Sequence, residues 1–259
     1  MTAATLDAPR LDRPRSPSWV ARIPAAFRLH FIVPTNLILV PAMVFVLVWA
    51  LSIEITLWIH AALGDRVAAE DPMYGGASQA AVWTLAFLAA YTVTHTLPFA
   101  MALSYSRRTF VLGTYLAFAA VSAGVGVAYT LAAWIERVTN GFGIHAYQFD
   151  SPFMTSSNGL LGGGLLAGSL SLAVMVVTFL FAAVFRRISL MGFWALLVAL
   201  LALVALVMLL IVRDIGWSGI GSWFLHQTAL TGSKYLLTTA VAAGVLGYLV
   251  LRRHAPSGN

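Results

Sequence analysis

Long apolar blocks alternate with short polar breaks along the chain. Six blocks read as helices. The first lies within Phe31–Leu63 and is interrupted early by Pro34 and Pro41. The others run over Ser78–Leu103, Val111–Trp134, Leu160–Phe185, Ser189–Val212 and Tyr235–Leu251. Their lengths suit the roughly 20 residues an α-helix needs to cross a bilayer core. The alternating segments of about ten residues that mark a membrane β-barrel do not occur. The pattern predicts an all-α, polytopic membrane protein with six transmembrane helices.

Three segments fit neither span nor plain loop. In Ser18–His30, the residues Trp19, Val20, Ile23 and Phe27 share one helical face, with Arg22 and Arg28 elsewhere. That is the pattern of a helix lying in the membrane interface. Asp214–Ser233 holds Ile215, Trp217, Ile220, Trp223 and Phe224 among glycines. It is too apolar for a loop and too short to cross, which predicts an external re-entrant segment before the last helix. Glu136–Asn158 reads as a small external cap. Residues 1–17 are expected to be a disordered cytoplasmic tail, 18–254 one transmembrane domain, and 255–259 a second cytoplasmic tail. No short apolar region with a cleavage site follows the N-terminus, so a cleaved signal peptide is not expected.

Charge adds an orientation. Arg10, Arg13, Arg15, Arg22, Arg28, Arg107, Arg108, Arg186, Arg187, Arg252 and Arg253 fall on one side of the spans. Only Arg66, Arg137, Arg213 and Lys234 fall on the other. Basic residues are retained in the cytoplasm during insertion, so both termini are expected there, in a cytoplasmic (inner) membrane. Asp65, Glu70, Asp71, Glu136, Asp150 and Asp214 fall outside. Topology thus accounts for the net charge of +6, and no nucleic-acid partner is expected.

Composition agrees with a lipid solvent: 60% of residues are hydrophobic and 9% charged, against about 25% charged in soluble domains. There is no cysteine, which removes disulfides, thiolate metal sites and cysteine nucleophiles. The glycine-rich run Gly159–Gly168 lacks the Lys-Ser or Lys-Thr of a phosphate loop. Its Gly159/Gly163 and Gly164/Gly168 spacing instead lets helices approach closely, within the chain or between subunits. His60, His145 and His226 form no ligand pair on one helix face, and no metal is expected. Glu54 is the one acid inside a span and so a candidate for a pathway. His95, three residues before Pro98, is a second candidate, or bonds a carbonyl that the proline frees.

The most informative break is Ser104-Tyr105-Ser106-Arg107-Arg108-Thr109-Phe110-Val111-Leu112-Gly113, between spans two and three. Either its arginines only anchor a turn at the membrane surface, or an outside partner grips it. With its flanks from Pro98 to Thr114, the segment resembles the span-two to span-three turn of ABC-2-type ABC-transporter permeases of the small actinobacterial type. There the pattern Gly/Ser-x-Ser/Thr-Arg-Arg-x-Phe-x-x-Gly recurs. The six spans, the interfacial helix and the apolar dip resemble the same class.

The resemblance implies a non-catalytic permease subunit, working as a homodimer or as a heterodimer with a similar permease. Its translocation route would be lined by parts of spans one, two and five. A separate ABC ATPase subunit would hold ATP and Mg, so this chain has no cofactor of its own. Ser106, Arg107, Arg108, Thr109, Phe110 and Gly113 become the coupling helix that contacts the ATPase, with Phe110 as an apolar anchor. Export is implied over import, since no binding-protein motif is evident. The alternatives are a membrane-embedded enzyme or assembly factor using Glu54, His60 or the outer histidines, and a non-transporting immunity or structural protein.

Overall fold

The computed structural model describes residues 18–32, 35–63, 72–76 and 78–252. Both expected tails, Pro34, Asp65, Arg66, Glu70, Asp71 and Arg253 lie outside the described residues. The described residues are all-α apart from one two-residue strand pair. Among the described residues, six helices are long and apolar enough to cross a membrane: Leu37–Ala62, Gln79–Ala102, Arg107–Val138, Gly159–Phe185, Leu190–Leu225 and Ala229–Arg252.

A short helix, α1 (Ile23–Leu29), precedes the spans. The first span is α2 (Val40–Leu63), entered through a wide π-type turn at Thr35–Leu39. The second joins α3 (Ser78–Tyr91), a π-type turn (Thr92–Thr96) and α4 (Leu97–Ala102). Proline has no N–H, and its ring clashes with the carbonyl four residues back. The π-type turn relieves both problems ahead of Pro98, and the Leu97 N–H reaches the Thr92 carbonyl instead. The third span, α5 (Arg107–Val138), starts earlier and ends later than its apolar core suggests. At about 1.5 Å per residue its 32 residues span about 48 Å. It therefore carries Glu136 and Arg137 beyond a hydrocarbon core of about 30 Å.

The strand pair joins β1 (Met73–Tyr74) to β2 (Ala146–Tyr147) in parallel, with Met73 opposite Ala146. With α6 (Pro152–Thr155) it forms the cap expected between Glu136 and Asn158. The fourth span, α7 (Gly159–Phe185), is the hub and packs on α5, α3 and the sixth span, α9 (Ala229–Arg252). Lipid offers helices no hydrophobic drive to associate, so close packing of small residues does the work. A Cβ on Gly126 would lie 2.8 Å from the Gly164 carbonyl, and one on Gly168 would lie 3.0 Å from that of Ser122. The Gly164/Gly168 spacing thus serves packing within the chain. On the other side of α7, the Tyr115 hydroxyl donates to the Gly244 carbonyl at 2.9 Å. Phe110, Phe118, Met175 and Phe179 fill the core between them.

The fifth span, α8 (Leu190–Leu225), stands apart. It has no buried residue and touches little beyond the end of α7, where Phe185 meets Phe193 edge-on at 5.0 Å. Gly216 breaks it with φ 69° and ψ 170°, a conformation suited to glycine. Beyond the break the predicted dip is helical to Leu225, and α9 begins at Ala229, earlier than Tyr235.

Candidate functional site

The turn between spans two and three is built from backbone rules. α4 ends in a Schellman motif: the Tyr105 N–H donates to the Ala100 carbonyl (3.1 Å) and the Ser104 N–H to that of Met101 (3.0 Å). Ser104 sits at φ 60° in the left-handed region, where glycine is the comfortable residue. Ser106 then caps α5, its Oγ accepting the Thr109 N–H at 3.2 Å.

The six predicted coupling residues divide into two groups. Ser106 and Arg108 are exposed and Arg107 is half-buried. Thr109, Phe110 and Gly113 are buried inside the chain. The expected role of Phe110 as a partner-facing anchor is therefore corrected. Its ring packs in the core, 5.5 Å from the His30 ring. Gly113 is the contact point for α1: a Cβ there would lie 2.7 Å from the Ala26 Cβ and 2.9 Å from the Phe27 nitrogen.

The segment from Trp19 to His30 clasps the turn. The Thr109 hydroxyl donates to the Trp19 carbonyl at 3.2 Å. Arg22 donates to the Ser104 carbonyl at 3.3 Å and lies 5.8 Å over the Tyr105 ring. His30 Nε2 lies 2.9 Å from Thr114 Oγ1, and burial lowers its pKa to about 4. The predicted interfacial helix is thus shorter than Ser18–His30. It buries Ala26, Leu29 and His30 against α5, while Trp19 and Val20 stay exposed.

His95 does not take a carbonyl freed near Pro98. Its Nδ1 lies 2.8 Å from the Thr94 hydroxyl, and its ring stacks on Tyr91 at 4.2 Å. Arg186 fills the carbonyl-binding role, donating from Nη1 to the Val93 carbonyl at 2.8 Å. A guanidinium that entered the sequence pattern only as an orientation signal so braces the π-type turn. His30, Tyr91 and His95 line a cavity of about 270 Å³ beside it. Glu54 is exposed on the first span, whereas His95 lies in the π-type turn of the second. An apolar groove of about 570 Å³ lies mainly between the first and third spans, along Phe45, Trp49, Gly124 and Ala128.

The opposite end holds a site that sequence reading missed. The Glu136 side chain is completely buried. Its Oε2 accepts the backbone N–H groups of Gln148 (3.0 Å), Phe149 (2.9 Å) and Asp150 (3.0 Å), and its Oε1 accepts the Trp49 indole N–H (2.9 Å). Arg137 grips Asp150 through two hydrogen bonds, at 2.8 and 2.6 Å. Burial raises the Asp150 pKa, but its bonds to Arg137 and Thr155 outweigh this and hold it below the usual carboxylate range. These four hydrogen bonds tie the first span, the end of α5 and the 148–150 backbone together, which is the arrangement of a clamp on the cap.

Comparison with protein-family models, with curated proteins and with solved structures returns no match.

Proposed function

We propose that the chain is the membrane-spanning permease subunit of an ATP-driven exporter of the ABC-2 kind. Both termini and the Ser104–Arg108 turn face the cytoplasm. A separate ATPase subunit holds ATP and Mg, and its closure is passed to the spans through this turn. The observation that carries the reading is how the turn is built. It is fixed by a Schellman motif on one side and a serine cap on the other, it exposes Arg108, and it is clasped to α1. A knuckle held this way can transmit a push to α1 and α5 together. The exposed arginine suits a charge-assisted bond to a partner carboxylate.

A fifth span with no buried residue supports the dimer, because it is left for a second permease copy or a similar permease. The groove between spans one and three supports an apolar or amphipathic substrate. Its lining supports a candidate route closer to span three than the resemblance implied.

The test is copurification. Tagged full-length chain is expected to bring down a nucleotide-hydrolysing subunit, and Arg108→Glu is expected to lose it at unchanged membrane insertion. An ATPase that stays bound to Arg108→Glu would remove this turn from the docking site.

A further inference from the structure

Between the ends of α4, α5, α7 and α9 lies a cavity of about 210 Å³. Arg107, Arg186 and Arg187 line it from two separate elements, and the rest of its wall is apolar, including Leu97 and Leu251. Among the described residues, none of those lining it is a carboxylate. Arg186 is held in place by its bond to the Val93 carbonyl. A guanidinium has five N–H donors, so that bond leaves others for a second acceptor. Arg107 and Arg187 are engaged by neighbouring groups too. Three guanidinium groups nonetheless share the lining of this one cavity.

We propose that this cavity binds the phosphate of an anionic membrane lipid, with the glycerol and first methylenes of that lipid on the apolar wall. Planar guanidinium forks match phosphate oxygens in pairs. Basic pockets between transmembrane helices at a membrane surface are suited to anionic headgroups. A free phosphate would satisfy the arginines alone, whereas a phospholipid satisfies both walls. The site goes beyond the permease reading and does not depend on it. Through Arg186 and the Val93 carbonyl, the bound lipid would also steady the π-type turn of the second span.

The experiment uses purified full-length chain in phosphatidylcholine nanodiscs, titrated with phosphatidylglycerol and read by native mass spectrometry. Phosphatidylglycerol is expected to be retained over phosphatidylcholine. Arg187→Gln is expected to weaken retention roughly fivefold, and Arg107→Gln with Arg187→Gln about 25-fold. Arg252→Gln, at the same end but outside the cavity wall, is expected to leave it unchanged. Should the double variant fail to fold, Arg187→Lys keeps the charge, loses the fork, and is expected to show a smaller loss than Arg187→Gln. Equal retention of the two lipids would overturn the proposal. So would equal losses from Arg187→Gln and Arg252→Gln. Displacement of the lipid by inorganic phosphate at millimolar concentration would overturn it in favour of a soluble anion.

Discussion

His30 Nε2 lies 2.9 Å from the Thr114 hydroxyl oxygen, tying the end of α1 to the second turn of α5. Thr114 gives its own proton to the Phe110 carbonyl at 2.9 Å. A hydroxyl has one proton, so the neutral imidazole donates from Nε2. Burial holds the folded pKa at about 4, below the usual 6.5. Below pH 6.5 the undocked state takes the proton first, so stability is full above that pH and is lost as pH falls toward 4. The whole shift corresponds to about 3 kcal/mol. Thermal unfolding in detergent should show this loss between pH 6.5 and 4, and His30→Gln should flatten it. The Asp150 pair adds a second, separate loss at lower pH, as that carboxylate protonates.

Gly113 admits α1 against α5. Gly113→Ala puts a methyl within 2.7 Å of Ala26 and 2.9 Å of the Phe27 nitrogen, and both neighbours are helical backbone or a short side chain that cannot yield. Overpacking of this kind costs about 1–3 kcal/mol. Faster proteolysis between residues 18 and 32, with the spans still intact, is the readout. Unchanged protection would mean that α1 is not docked at Gly113.

Ser104 offers the opposite change. At φ 60° it bears a left-handed strain that glycine does not. Its contribution to the clasp is a backbone carbonyl, which survives substitution. Ser104→Gly should raise stability by about 1 kcal/mol, measured as a higher unfolding midpoint.

At the far end, Glu136→Gln keeps one acceptor oxygen for the three backbone donors and turns an amide N–H₂ toward the Trp49 indole N–H. Two donors then face each other in a buried place, at a cost of about 1–3 kcal/mol. Trp49 fluorescence should shift and the cap should unfold before the spans. If Trp49 emission does not change, the clamp is absent.

Different physics decided how much of this was legible in the sequence. The six spans follow from hydropathy, which is a local property, and six helices long and apolar enough to cross a membrane occur where they were read, with shifted ends. The Ser106 cap is local too, yet Ser106 stood out in the sequence only as part of the coupling motif. Phe110 was misleading because its burial depends on α1, encoded some 80 residues earlier, swinging in to close over it. Gly113 looked like part of a docking motif, yet its need for a missing side chain comes from the same helix. Glu136 was invisible for a related reason. Three of its four partners are backbone N–H groups placed by a run of left-handed residues, Asn140, Gly141, Phe142, Gly143 and His145. The glycines at 141 and 143 just past a span end were the available signal. Hydropathy did not carry the detachment of α8, since it marks a span without saying which neighbour the span packs against.

The permease reading turns on what meets Arg108. The chain contains no cysteine, so Arg108→Cys is a unique attachment point. A short thiol-reactive crosslinker should join it to a chain carrying a Walker A sequence, with a yield that changes when ATP is added. Trp217→Cys, at the opposite end of the spans, should give no such product. A nucleotide-independent pattern identical at both positions, or no ATPase adduct from Arg108→Cys in a complex that hydrolyses ATP, would contradict the account.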